Sequence, residues 1–123
     1  MIHILATGGT IAGEADPTSG GSRYKAGVRP VGALLASVPG LAEAAEISAE
    51  QILALDSKDM TPADWLVILA AVRRARLDPA IDGIVILHGT DTLEETAYFL
   101  HLTLPAGTPV VLTGAMRPAD HPE

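Results

Sequence analysis

The sequence contains no cysteine, which excludes disulfides, thiolate nucleophiles and cysteine metal sites. Aromatic residues make up only 3% of it, so any core must be built from Ala, Leu, Ile and Val. Cations are scarce: 8 Lys and Arg stand against 15 Asp and Glu, a net charge of -7 with a pI near 4.9. Binding a phosphate backbone needs clustered positive charge. The densest basic stretch, Arg73, Arg74 and Arg76, falls on a predicted helix and reads as a solvated face, so no nucleic acid partner is expected. No apolar run approaches the length of a membrane span, and no membrane association is expected. Met1 leads at once into an apolar run and then Thr7-Gly8-Gly9, too short and uncharged for a signal peptide, so a cytoplasmic location is the expectation. His3, His88, His101 and His121 show no metal-ligand spacing. Neither a metal nor a cofactor is expected.

What is present fits one domain. The chain has 123 residues, 48% of them hydrophobic, with a mean hydropathy of +0.31. That hydropathy is high for a short soluble chain. It suits a large subunit interface, or a domain whose covering elements lie outside these residues.

Apolar runs at 2–6, 83–87 and 109–113 read as strands, and the middle one is continuous enough to be buried on both faces. Shorter strands are expected at 45–48 and 51–55. Residues 30–38 read as a helix opened by Pro30 and stopped before Pro39-Gly40. Thr61-Pro62-Ala63-Asp64 is a strong helix start, and that helix should reach about Arg76 with Trp65, Leu66, Leu69 and Val72 on its buried face. A further helix is expected over 92–102, with Leu93, Thr96, Ala97 and Leu100 inward. Residues 13–27 are rich in Gly, Ser, Thr and Asp and read as a long mobile loop of the kind that forms lids. Strands alternating with helices predict an α/β domain with a mainly parallel sheet flanked by helices.

In such sheets ligands gather at the carboxyl ends of the strands. Three polar clusters fall there: Thr7-Gly8-Gly9-Thr10, Asp56-Ser57-Lys58-Asp59 and His88-Gly89-Thr90-Asp91-Thr92. A threonine hydroxyl needs activation to act as a nucleophile, and glycines before it let backbone N–H groups approach a substrate or a developing oxyanion. A helix cap or turn hydroxyl is the plainer role for Thr10. Asp91 suits either a helix start or the binding of an ammonium group. His88 reads as a hydrogen-bonding support for the Thr90 loop rather than a base, and His3 as a satisfied core or interface residue. The glycine loop is neither a phosphate loop nor a dinucleotide fingerprint.

Together the motifs say more. Ile4-Leu5-Ala6-Thr7-Gly8-Gly9-Thr10-Ile11-Ala12-Gly13 resembles the first signature of the bacterial-type asparaginase/glutaminase family. Leu87-His88-Gly89-Thr90-Asp91-Thr92-Leu93-Glu94-Glu95-Thr96-Ala97 resembles its second. Val110-Val111-Leu112-Thr113-Gly114-Ala115-Met116-Arg117-Pro118 is similar to the strand and turn that follow. The resemblance runs from Ile2 onward and implies the asparaginase N-terminal α/β domain over 1–123.

It also implies roles. Thr10 would be the nucleophile on the side-chain amide, and Tyr24 would lie against it and help activate it. Ser57 would bind the substrate α-carboxylate and Asp91 its α-ammonium, with Gly9, Gly89 and Lys58 among the substrate-binding positions. Thr90 would join a second hydroxyl–carboxylate–lysine constellation. Its lysine in the family lies past the Met-Arg-Pro turn, whereas the lysines here are Lys25 and Lys58. The family also carries a smaller C-terminal domain, so the sequence reads as the amino-terminal part of a longer chain. Lys58 stands where many members have glutamine; it is either solvent-facing or a charge beside the α-carboxylate that alters the asparagine–glutamine preference.

The implied activity is hydrolysis of L-asparagine to L-aspartate and ammonia, with L-glutamine as a second substrate, by a homo-oligomer (tetramer or dimer). Two other expectations compete. One is the asparaginase-like subunit of a tRNA-dependent amidotransferase, disfavoured by Met1 abutting the first strand. The other is a catalytically incomplete piece that only binds amino acids.

Overall fold

The computed structural model describes residues 1–16, 18 and 23–120, the Tyr24 side chain excepted. Its centre is a four-stranded sheet of β1 (Ile2–Gly8), β4 (Ile47–Leu55), β5 (Gly83–Leu87) and β6 (Val110–Thr113). The strands lie in the order β4-β1-β5-β6, and every neighbouring pair is parallel. A separate antiparallel ribbon joins β2 (Glu14–Ala15) to β3 (Tyr24–Lys25). Helices α1 (Val31–Ala36), α2 (Leu41–Ala44), α3 (Pro62–Ala75) and α4 (Leu93–Thr103) complete the chain. Among the described residues no helix is long and apolar enough to cross a membrane.

Side-chain alternation in β1 separates two cores. Ile4 and Ala6 pack on one face with Val31 and Leu34 of α1 and with Leu87. Leu5 points the other way and meets Ile68, Leu69 and Val72 of α3, Leu100 of α4, and Ile84 and Ile86 of β5. Buried on both faces, β5 carries no polar side chain at all.

The connections explain this layering. The crossover from β1 to β4 moves one way along the sheet, while those from β4 to β5 and from β5 to β6 move the other way. Crossovers of one hand that run in opposite directions must lie on opposite faces. The chain therefore leaves the ends of β1 and β5 toward different layers, and a crevice opens between them.

Several expectations are corrected. The strands expected at 45–48 and 51–55 are one strand, β4. The gap left at Ala49-Glu50 is strand as well, because β4 borders the sheet, where Glu50 can pair with exposed Arg74 at 2.8 Å. Leu66 is 60% exposed rather than inward. At about 100° per residue it sits roughly 200° round from Ile68, and the buried stripe is Ile68, Leu69, Ala71, Val72 and Ala75. Residues 30–38 yield only α1, with Pro30 as its cap, and the short α2 follows Gly40 unforeseen. The loop expected over 13–27 contains the β2–β3 ribbon.

Other expectations hold. At the start of α3 the Asp64 carboxylate accepts the Thr61 N–H at 2.8 Å and the Thr61 hydroxyl at 2.6 Å. His3 is satisfied by Ser48 Oγ at 2.7 Å. Arg73 and Arg74 are exposed as expected, but Arg76 is half-buried and braces the loop before β6, donating to the carbonyls of Pro105 at 2.7 Å and Thr108 at 2.8 Å.

Candidate active site

The crevice between β1 and β5 is closed at its base by backbone. Gly9, at φ 75, ends the first strand's turn, and a Cβ built there would overlap Gly89 Cα. A Cβ on Gly89 would in turn collide with Ser57 Oγ and Cβ. Glycine at 9 thus serves both the left-handed backbone and the close approach. The Gly9 N–H donates to the Leu55 carbonyl at 2.9 Å, tying the first rim loop to the end of β4.

Around this seam three one-turn 3-10 segments carry the polar residues: Thr10–Ala12, Ser57–Asp59 and Thr90–Thr92. Thr10 is buried, 6% exposed, and Ser57 is 2% exposed. The Asp91 N–H donates to Ser57 Oγ at 3.1 Å, and the Thr92 hydroxyl donates to the Ser57 carbonyl at 2.9 Å. Thr90 and Asp91 have exposed side chains, and Thr90 Cγ2 lies 3.2 Å from where a Cβ on Gly114 would be.

The structure therefore gathers Gly9, Thr10, Ser57, Gly89, Thr90 and Asp91 on one rim. The Tyr24 side chain falls outside the described atoms, so its expected contact with Thr10 does too. The backbone places β3 close by, because the Gly27 N–H donates to the Gly9 carbonyl at 3.0 Å.

Lys58 is exposed. Its ammonium lies 2.9 Å from Asp56 and 3.0 Å from Asp59. Its hydrogen bonds to both carboxylates, that to Asp56 foremost, raise its pKa above the ordinary lysine value. The same hydrogen bond holds Asp56 below the usual carboxylate range. Asp91 is exposed at the rim, and Ser57 has a hydroxyl whose oxygen already accepts one N–H.

His88 is fully buried. Nδ1 sits 2.7 Å from the Gly89 carbonyl and Nε2 2.9 Å from Thr96 Oγ1. Burial, the dominant cause, holds its imidazole below the ordinary histidine pKa. It supports the Thr90 loop from beneath, as expected. The sequence reading placed Thr92 in the third polar cluster but gave it no role, although it locks the second rim loop to the third, and it saw Thr96 only as an inward helix position. It also missed Asp120, whose carboxylate accepts the Ala15 N–H at 3.0 and 3.2 Å. Only an unusual run of polar residues on an otherwise apolar helix face signalled Thr92 and Thr96; nothing local signalled Asp120.

Comparison with known proteins agrees with this fold. The family model described as "Asparaginase, N-terminal" matches residues 1–123. A probable periplasmic L-asparaginase of Haemophilus influenzae is 50% identical over 96% of this chain and 33% of its own length. A glutaminase-asparaginase of Pseudomonas aeruginosa is 46% identical over 95% of this chain and 32% of its own. The crystal structure of a probable cytoplasmic L-asparaginase from Campylobacter jejuni superimposes with a TM-score of 0.87 at 48% identity, covering 96% of this chain and 36% of that one. The chain spans about a third of the length of the curated relatives it matches.

Proposed function

Because the chain belongs to the asparaginase family, matching its N-terminal domain along its whole length, we propose that the natural polypeptide hydrolyses the side-chain amide of L-asparagine to L-aspartate and ammonia. L-glutamine is the second substrate of this reading, supported by the glutaminase-asparaginase name of the Pseudomonas relative. The observation that carries the proposal is the seam of Gly9, Gly89 and Ser57, over which a hydroxyl loop and a carboxylate loop converge.

In this reading the substrate enters with its α-carboxylate on Ser57, whose oxygen accepts the Asp91 N–H and whose own proton is left to donate. Its α-ammonium pairs with Asp91. Fixing both ends of a small amino acid delivers the amide carbon to Thr10 and removes the entropy cost of an encounter. Thr10 Oγ then bonds to the amide carbon and gives up its proton, the C–N bond breaks, and nitrogen leaves as ammonia after gaining a proton. Water splits the resulting ester, releasing aspartate and restoring the hydroxyl. Tyr24 assists the first proton transfer, and Thr90 belongs to the second hydroxyl–carboxylate set. The β2–β3 ribbon serves as the lid that excludes water.

A homo-oligomer belongs to the same reading, supported by the exposed Leu66, Tyr98 and Leu102. A cytoplasmic location is supported by the name of the Campylobacter relative; the Haemophilus relative is named periplasmic.

Thr10→Ala in the natural polypeptide tests the core of the proposal. Ammonia release should vanish while the circular dichroism spectrum and melting temperature stay close to wild type. Near-normal turnover by a folded Thr10→Ala protein would overturn it.

A further inference from the structure

One continuous line of hydrogen bonds runs from the outer helix layer to the seam. The Trp65 indole N–H donates to Thr96 Oγ1 at 2.9 Å. Thr96 Oγ1 lies 2.9 Å from His88 Nε2, and His88 Nδ1 lies 2.7 Å from the Gly89 carbonyl. Thr96 and His88 are each 0% exposed. Trp65 is itself held by stacking on Phe99, with ring centroids 5.9 Å apart.

Counting donors fixes the direction of every link. A carbonyl only accepts, so the proton on His88 is at Nδ1. An indole N–H only donates, so the Thr96 oxygen accepts from it and points its own proton at Nε2. The line therefore reads indole to hydroxyl to imidazole to carbonyl, with a neutral ring. An imidazolium would need a second acceptor at Nε2 and would turn the Thr96 proton toward Met60 Sδ at 3.5 Å, a poorer acceptor. Burial, which holds the imidazole below its ordinary pKa, acts in the same direction.

We propose that Thr96, backed by Trp65, is a positioning residue that sets the tautomer and plane of His88 and through it the orientation of the Gly89 peptide. This rests on the amide-hydrolase reading only for its effect on turnover. The Gly89 peptide is where orientation matters most. It is wedged between Gly9 and Ser57 with no room for a methyl group, and it precedes Thr90 and Asp91. In a trans peptide the C=O and the next N–H point opposite ways. Holding the Gly89 oxygen on His88 thus turns the Thr90 N–H away from the imidazole. An unpinned peptide would let Thr90 and Asp91 drift together, and small misplacements at a reacting centre cost large factors in rate.

The test uses the natural full-length polypeptide and two kinds of readout. Nitrogen-15 NMR of the histidine ring reports the tautomer without reference to activity. The wild type should show neutral His88 protonated at Nδ1 at neutral pH; an Nε2–H ring or an imidazolium there overturns the proposal. Thr96→Val keeps the shape and removes the hydroxyl. It should change the His88 signature and lower kcat on asparagine about tenfold or more with a smaller change in KM, while Thr96→Ser restores both. Trp65→Phe keeps a ring against Phe99 but removes the N–H together with part of the indole, so its melting temperature is read beside the ring signals. It should broaden or shift the His88 signals and lower kcat by a few-fold. Unchanged ring signals and wild-type kcat in the folded variants overturn the proposal. A wild type that releases no ammonia from asparagine or glutamine would instead sink the amide-hydrolase reading, leaving the tautomer result to decide the positioning role.

Discussion

Gly9 and Gly89 lie backbone against backbone: a Cβ on Gly89 would stand 3.2 Å from Gly9 Cα, and one on Gly9 would overlap Gly89 itself. Residues 80 positions apart meet here because β1 and β5 are neighbours in register, Ala6 beside Leu87.

Gly89→Ala tests the seam directly. Gly89 has an ordinary φ of -77, so the penalty is steric rather than conformational. The added methyl must push Ser57 or Gly9 aside. Overpacking of this kind typically costs about 1–3 kcal/mol, and the displaced Ser57 should cost activity by about 100-fold. Denaturant titration and an ammonia assay measure the two effects. Wild-type activity in Gly89→Ala would show that the seam does not position the rim.

Lys58 and Ser57 should differ sharply although they are adjacent. The Lys58 charge is already matched by Asp56 and Asp59, so Lys58→Gln should change KM for asparagine less than about threefold, as for other exposed ion pairs. Ser57→Ala should raise KM about tenfold or more, because a hydrogen bond to a charged group is lost. Initial-rate kinetics on asparagine and glutamine separate the cases. A large shift in substrate preference for Lys58→Gln would mean that its ammonium reaches the substrate.

The buried imidazole gives stability a pH dependence of known sign. Its folded pKa lies below the ordinary value of 6.5. Above that value both folded and unfolded chains hold it neutral, and it contributes no slope. As pH falls below 6.5 the unfolded chain takes up a proton first, so stability drops until the lowered folded pKa is reached. Asp56 adds a loss of the same sign in more acid solution, as its depressed folded pKa is passed. Urea midpoints measured from neutral to mildly acid pH should therefore decline, and His88→Gln should flatten the upper part of that decline. An equal slope in both proteins would mean that another group carries it.

Asp120 should govern the base of the ribbon. Its carboxylate covers the Ala15 N–H on the outer edge of β2, and the Ala119 N–H reaches the Gly13 carbonyl at 3.3 Å. In Asp120→Ala the Ala15 amide should exchange with solvent at least about tenfold faster, since its closed state loses a partner. Unchanged exchange there would show that the ribbon is held by its own pairing.

Much of this architecture was legible in the sequence, for identifiable reasons. Strand β5 is apolar on both faces and bounded by Gly83 and the polar His88-Gly89 pair, so its limits coincide with the run. Helix α3 announces its start through Thr61, Pro62 and Asp64. Strand β4 was harder: it carries Glu50 and Gln51 in mid-run because their partners, Arg74 and the Val31 N–H, come from distant segments. The three rim clusters could be placed because a parallel sheet sends all its carboxyl ends one way. The line from Trp65 to Gly89 could not. Its first two links join different elements, and no local spacing encodes which hydroxyl an imidazole will meet.

The opposite departures of the chain from β1 and β5 have an evolutionary corollary. The segment after Thr10 packs into the layer holding α1 through Ile11 and Ala12, whereas the loop of Thr90 and Asp91 rests on His88, which is held by Thr96 of α4. Core substitutions in one layer can retune one half of the rim and leave the other untouched. Where two glycine backbones abut, both halves must be inherited as a unit.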